Sequence, residues 1–164
     1  MSNPQSTAKI GGHPLHPMIV PFPIAFFSTA LLCDLVYWGS GNPAWPTASI
    51  WLIGAGIVMA LVAALGGFTD FLGDQRIRDL SAVWWHFIGN LVLVVIEAVN
   101  WFLRYEGGSI LPWGLVLSFI AVGLMLFTGW KGWEMVYLHR VAIADTSEPF
   151  AAPRSTPGRR DHAA

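Results

Sequence analysis

The sequence predicts an all-α integral membrane protein, a bundle of four transmembrane helices in up-down-up-down order. Three observations lead there. Of 164 residues, 54% are hydrophobic and only 12% charged. That is about half the charged share of a soluble domain, too little to cover a water-facing surface. Four segments each reach the ~20 apolar residues that a helix needs to cross a ~30 Å hydrocarbon core, and none carries the continuous polar stripe of a soluble bundle helix. The chain also holds 9 tryptophans, a residue that gathers at membrane–water boundaries. The single cysteine, Cys33, excludes an intrachain disulfide and a thiolate metal cluster. No Lys/Arg-rich block suits a phosphate backbone, so nucleic acid is not an expected partner.

A polar tail over 1–10 is expected to be disordered, ahead of one membrane domain over 11–143. The first span is predicted from Met18 to Trp38. It is too long for a cleaved signal sequence, whose apolar stretch is ~7–15 residues. Just before it stands "GGHPLHPM". A residue before proline is pushed toward extended geometry, so a polyproline entry strand is expected. In that strand His13 and His16 would project the same way, ~9 Å apart.

After the breaker "GSGNPAWP", the second span runs from Ala48 to Leu72. Its Gly56, Ala60 and Ala64 repeat every four residues and suit close helix packing. "GDQRIRD" leads to the third span, Ala82 to Leu103, and "RYEGGS" to the fourth, Pro112 to Lys131, with room for the helix to continue to His139. The short connections make consecutive helices antiparallel. Residues 144–164 are expected to form a second disordered tail.

Four spans return the C-terminus to the face that holds the N-terminus. That face carries Lys9, Arg76, Arg78, Lys131, Arg140, Arg154, Arg159 and Arg160; the other has only Arg104. Under the positive-inside rule both termini are cytoplasmic, and the expected location is the bacterial inner membrane.

Ionisable groups at membrane depth are costly, at about 2.5–3.5 kcal/mol on insertion scales, so they mark pairing or function. In the third span Asn90 lies ~40° and Glu97 ~20° around the helix from His86, one shared face directed into the bundle. Asn100 and Arg104 extend that stripe, and Arg104 is placed to pair with Asp34 as a structural ion pair. At the N-terminal face, His13, His16, His86 and His139 gather with Asp70 and Glu134. His139 stands ~12 Å beyond the fourth span's boundary, so it joins them only through a bend at Gly129 and Gly132.

"GHPLHPMIVPFPIAF", "GGFTDFL", "HFIGN" and "GWKGWEMVYLH" together resemble a small bacterial family of predicted membrane proteins of unknown function, domain-of-unknown-function family 2231, over Gly11 to Ile143. The resemblance carries His13, His16, Asp70, His86, Asn90, Glu134 and His139 onto the family's polar positions. This chain departs from the family's C-terminal pattern at Trp133, Leu138 and Arg140. Fusion of some members to Rieske or cytochrome c modules implies a redox setting.

Three functions compete. Two of His13, His16, His86 and His139 could hold haem b in a membrane electron-transfer subunit, with His86 the preferred ligand. Alternatively, His16 and His86 could bind zinc or iron with Asp70 and Glu134. The third is an accessory subunit whose polar groups serve packing within a larger membrane complex or a homo-oligomer. No nucleophile–base pair stands out, so the chain is not expected to be an enzyme on its own. No span is broken at mid-depth as in ion-coupled carriers.

Overall fold

A computed structural model describes residues 3–107 and 110–143. The chain opens with a short hairpin, β1 (Lys9–Ile10) and β2 (His13–Pro14), paired antiparallel with Ile10 opposite His13. Gly11 and Gly12 make its two-residue turn with φ of 58° and 84°, left-handed values that favour glycine. Helix α1 (Leu15–Ile19) follows, then α2 (Pro21–Ser40), α3 (Ala44–Gly73), the short α4 (Gln75–Arg78) and α5 (Ser81–Tyr105). A kinked entry at Ile110–Gly114, where Leu111 is extended, leads into α6 (Leu115–Trp133) and a wider last turn over Glu134–Leu138.

Four helical stretches are long and apolar enough to cross a membrane: Leu15–Ser40, Ala44–Gly73, Ser81–Tyr105 and Ile110–Leu138, with mean hydropathy of 2.0, 2.3, 1.8 and 2.3. Large apolar side chains stand on the outside, Trp51 at 76%, Leu65 at 72% and Leu126 at 70% exposure. Water would penalise such a surface; lipid does not.

Two sequence expectations change at the N-terminus. His16 is not on an extended strand but inside α1. Pro17 tolerates this because the first N–H groups of a helix have no intrahelical partner to lose. His13 sits on β2 and is exposed, so the two imidazoles do not project together. Nor is Asn3–Ile10 a loose tail. Asp70 Oδ1 accepts from the Thr7 amide at 2.6 Å, the Ala8 amide at 2.8 Å and Ser6 Oγ at 2.9 Å, and Ala142 N–H donates to Pro4 O at 2.9 Å. The expected C-terminal tail lies outside the described residues.

The core draws on all four long stretches: Phe27 and Ala30 of α2, Ile53 of α3, Leu93 of α5 and Met125 of α6. Close approach of α2 to α3 depends on Gly56, where a Cβ would come within 2.5 Å of the buried Phe27 ring. Gly56→Ala is therefore expected to cost about 1–3 kcal/mol by overpacking. Detergent unfolding checks this, and an unchanged midpoint would refute the close contact.

Candidate functional site

Two polar layers lie inside the apolar bundle. The first surrounds Arg104 near the end of α5, where all five side-chain N–H groups find acceptors. Nη1 donates to Asp34 Oδ1 at 2.7 Å and Ser49 Oγ at 2.6 Å. Nη2 reaches Asp34 Oδ2 at 2.7 Å, Gly114 O at 2.9 Å and Ser118 Oγ at 2.9 Å. Nε donates to Asn100 Oδ1 at 2.9 Å. Ser49 and Ser118 each donate onward to Asp34 at 2.7 Å. Asp34 and Arg104 thus form the expected pair, bidentate and buried at 0% and 4% exposure. Glu97 and Asn100 belong to the same layer, Asn100 Nδ2 donating to Glu97 Oε2 at 3.1 Å. The two serines were not singled out from the sequence. A lone hydroxyl in an apolar helix commonly bonds its own backbone, so only the three-dimensional partner identifies it.

The second layer lies toward the N-terminal end of the bundle. His16 reaches from α1 to α3, where Nδ1 and Ala63 O are 2.8 Å apart. His86 reaches from α5 to α6, where Nδ1 and Thr128 O are 2.9 Å apart. A carbonyl oxygen only accepts, so both Nδ1 atoms carry hydrogen, and a ring in its neutral form then has its lone pair on Nε2. The two ring centroids stand 5.9 Å apart with planes at 81°. Glycines make room for both rings. A Cβ on Gly67 would lie 2.9 Å from His16 Nδ1, and one on Gly132 would lie 3.2 Å from His86 Cε1. Asn90 braces the same layer, donating to His86 O at 2.7 Å and accepting from Thr128 Oγ1 at 3.3 Å.

The other sequence candidates do not join this pair. His13 and His139 are exposed and make no side-chain hydrogen bond among the described residues. Asp70 is engaged by the N-terminal segment. Glu134 is held by Lys131 Nζ at 2.9 Å to each oxygen and by Trp130 Nε1 at 2.9 Å. No group of three or more His, Cys, Asp or Glu among the described residues is arranged to hold a metal ion.

Around this end the N-terminal segment is pinned a second time. Asp74 caps α4, accepting from the Arg76 amide at 2.9 Å, and accepts from the Gln5 amide at 3.3 Å. Its carboxyl is held at about 2 rather than 3.8, first by hydrogen bonding from the Arg76 side chain, with the Arg76 and Gln5 amides adding to it. A depressed value means that the stabilisation is complete above pH 3.8 and fades as pH falls toward about 2. Amide exchange at Gln5 is expected to speed up, relative to the intrinsic rate, within that acid window. A loss of protection confined to neutral pH would contradict the role of Asp74.

Four long apolar helices, with the Asp34–Arg104 ion pair buried among them, define a multi-pass membrane protein. Its residues 12–145 match the family model described as Predicted membrane protein (DUF2231), and the chain belongs to that family. No curated protein and no solved structure matches it.

Proposed function

We propose that the chain is a membrane electron-transfer subunit that holds haem b on His16 and His86. The observation that carries this reading is a pair of imidazoles from two different spans, 5.9 Å apart, with Nδ1 of each tied to a carbonyl and Nε2 left as a donor atom. Metal-ligating histidines characteristically hand their second ring N–H to a carbonyl or carboxylate in this way.

The donor set fits haem better than a bare zinc ion. His16 and His86 would be enough to hold a haem iron, whereas a structural zinc needs four protein donors, and both candidate carboxylates are engaged elsewhere. When bound, haem supplies reversible one-electron transfer. The protein's part is positional: Ala63 and Thr128 fix the two tautomers, α3 and α6 orient the rings, and the apolar spans exclude water. A redox subunit needs a donor and an acceptor, so another membrane protein or a second copy of this chain completes the path.

Orientation follows from charge. Lys9, Arg76, Arg78, Lys131 and Arg140 lie toward the histidine end, while the cation at the opposite end, Arg104, is neutralised by Asp34. By the positive-inside rule the histidine end faces the cytoplasm of a bacterial inner membrane, with both termini there and the four spans alternating in direction.

One observation favours a second reading. Gly67 and Gly132 pack directly on the rings, and Gly66 on the His16 backbone, as they would if the imidazoles served only as spacers in an accessory subunit. The two readings separate on the oxidised and reduced absorption spectra and iron content of untagged protein, produced with haem supplied. The haem reading expects a Soret band and stoichiometric iron. Neither band nor iron would leave the spacer reading.

A further inference from the structure

We propose that Glu97 is a proton-binding site: within the bundle it is a neutral carboxylic acid whose Oε1 carries the proton. The inference does not depend on haem. Glu97 has 0% exposure, and its Oε2 accepts one hydrogen bond, from Asn100 Nδ2 at 3.1 Å. Among the described residues its Oε1 is the buried side-chain oxygen that has no partner.

The charge near Glu97 is already balanced without it. The groups interacting with Glu97 are Asn100 and Arg104 of α5 and Asp34 of α2, with Ser49 of α3 and Ser118 of α6 bonded to Asp34 in the same layer. Both guanidinium nitrogens that could answer a second carboxylate are given to Asp34, and both serines donate to Asp34 as well. An ionised Glu97 would be an uncompensated negative charge in an apolar interior, far costlier than a neutral acid. A metal cation would need several oxygen ligands gathered around Oε1, and it has none. A proton needs only that atom. The site therefore stores one proton inside the Arg104 layer, on the inward face of α5.

Infrared spectra of the detergent-solubilised protein at neutral pH test this, with wild type compared to the isosteric Glu97→Gln. A hydrophobic carbodiimide, which adds the acid O–H across its C=N bond to give an O-acylisourea that rearranges to a stable N-acylurea, provides a second readout. The expected result is a protonated-acid carbonyl stretch that shifts in heavy water and is missing in Glu97→Gln, with mass spectrometry placing the carbodiimide adduct on Glu97. Should Glu97→Gln fail to fold, the adduct on wild type decides. Absence of the band, its persistence in the variant, an unmodified Glu97 or loss of the adduct on adding sodium would each overturn the proposal.

Discussion

Arg104→Ala is expected to destabilise the bundle by about 3–5 kcal/mol, the usual cost of leaving one member of a buried ion pair behind. Asp34 would keep a carboxylate at 0% exposure with only the Ser49 and Ser118 hydroxyls to answer it. Asp34→Leu should cost a similar amount, since the guanidinium would lose both strong acceptors. The double variant Asp34→Leu/Arg104→Met should recover most of the loss, because it removes the desolvated charges together. Unfolding of the detergent-solubilised protein measures all three. A single variant costing less than ~1 kcal/mol would resemble an exposed pair and contradict the buried geometry.

His16→Ala and His86→Ala are each expected to abolish iron binding while the bundle persists. Each ring makes one hydrogen bond to a carbonyl, at 2.8 Å and 2.9 Å, and losing one such bond costs only ~0.5–1.5 kcal/mol. Removing either Nε2, by contrast, would take away one of the two ligands proposed for the haem iron. His13→Ala and His139→Ala should leave the iron content unchanged, because both side chains are exposed and outside the pair. Gly67→Ala should lower occupancy with no ligand removed, since the added carbon would lie 2.9 Å from His16 Nδ1 and turn the ring. Full iron retention in either pair variant, or loss in His139→Ala, would contradict the assignment.

Much of this architecture is legible in the sequence because lipid imposes simple demands on it. The span starting at Ala48 extends from Ala44 to Gly73 and the third from Ser81 to Tyr105, since helix ends project past the apolar run without penalty. The stripe from His86 to Arg104 also reads correctly, because helical periodicity alone puts those residues on one face. Partners across helices are harder. Asp34 and Arg104 can be matched because each is a rare charge at the same depth. Ser49, Ser118 and Thr128 cannot, since a hydroxyl satisfies itself within its own helix equally well.

The N-terminal segment shows a different limit. Polar residues such as Ser6 and Thr7 have the composition of a disordered tail, and what holds them is the Asp70 carboxylate 62–64 positions away. The geometry of "HPLHP" depends on context in the same way. The preference of pre-proline residues for extended backbone is a bias, and the first turn of α1 overrides it at His16 by placing Pro17 where no N–H is needed.

The central claim is that His16 and His86, 5.9 Å apart, each carry hydrogen on Nδ1 and leave Nε2 open, and ring ¹⁵N NMR of histidine-labelled protein free of iron measures this most directly. Assignment by His16→Ala and His86→Ala should give, at neutral pH, an N–H signal at Nδ1 and an unprotonated Nε2 for both rings. Protonation at Nε2 in either ring would close the donor atom and contradict the account.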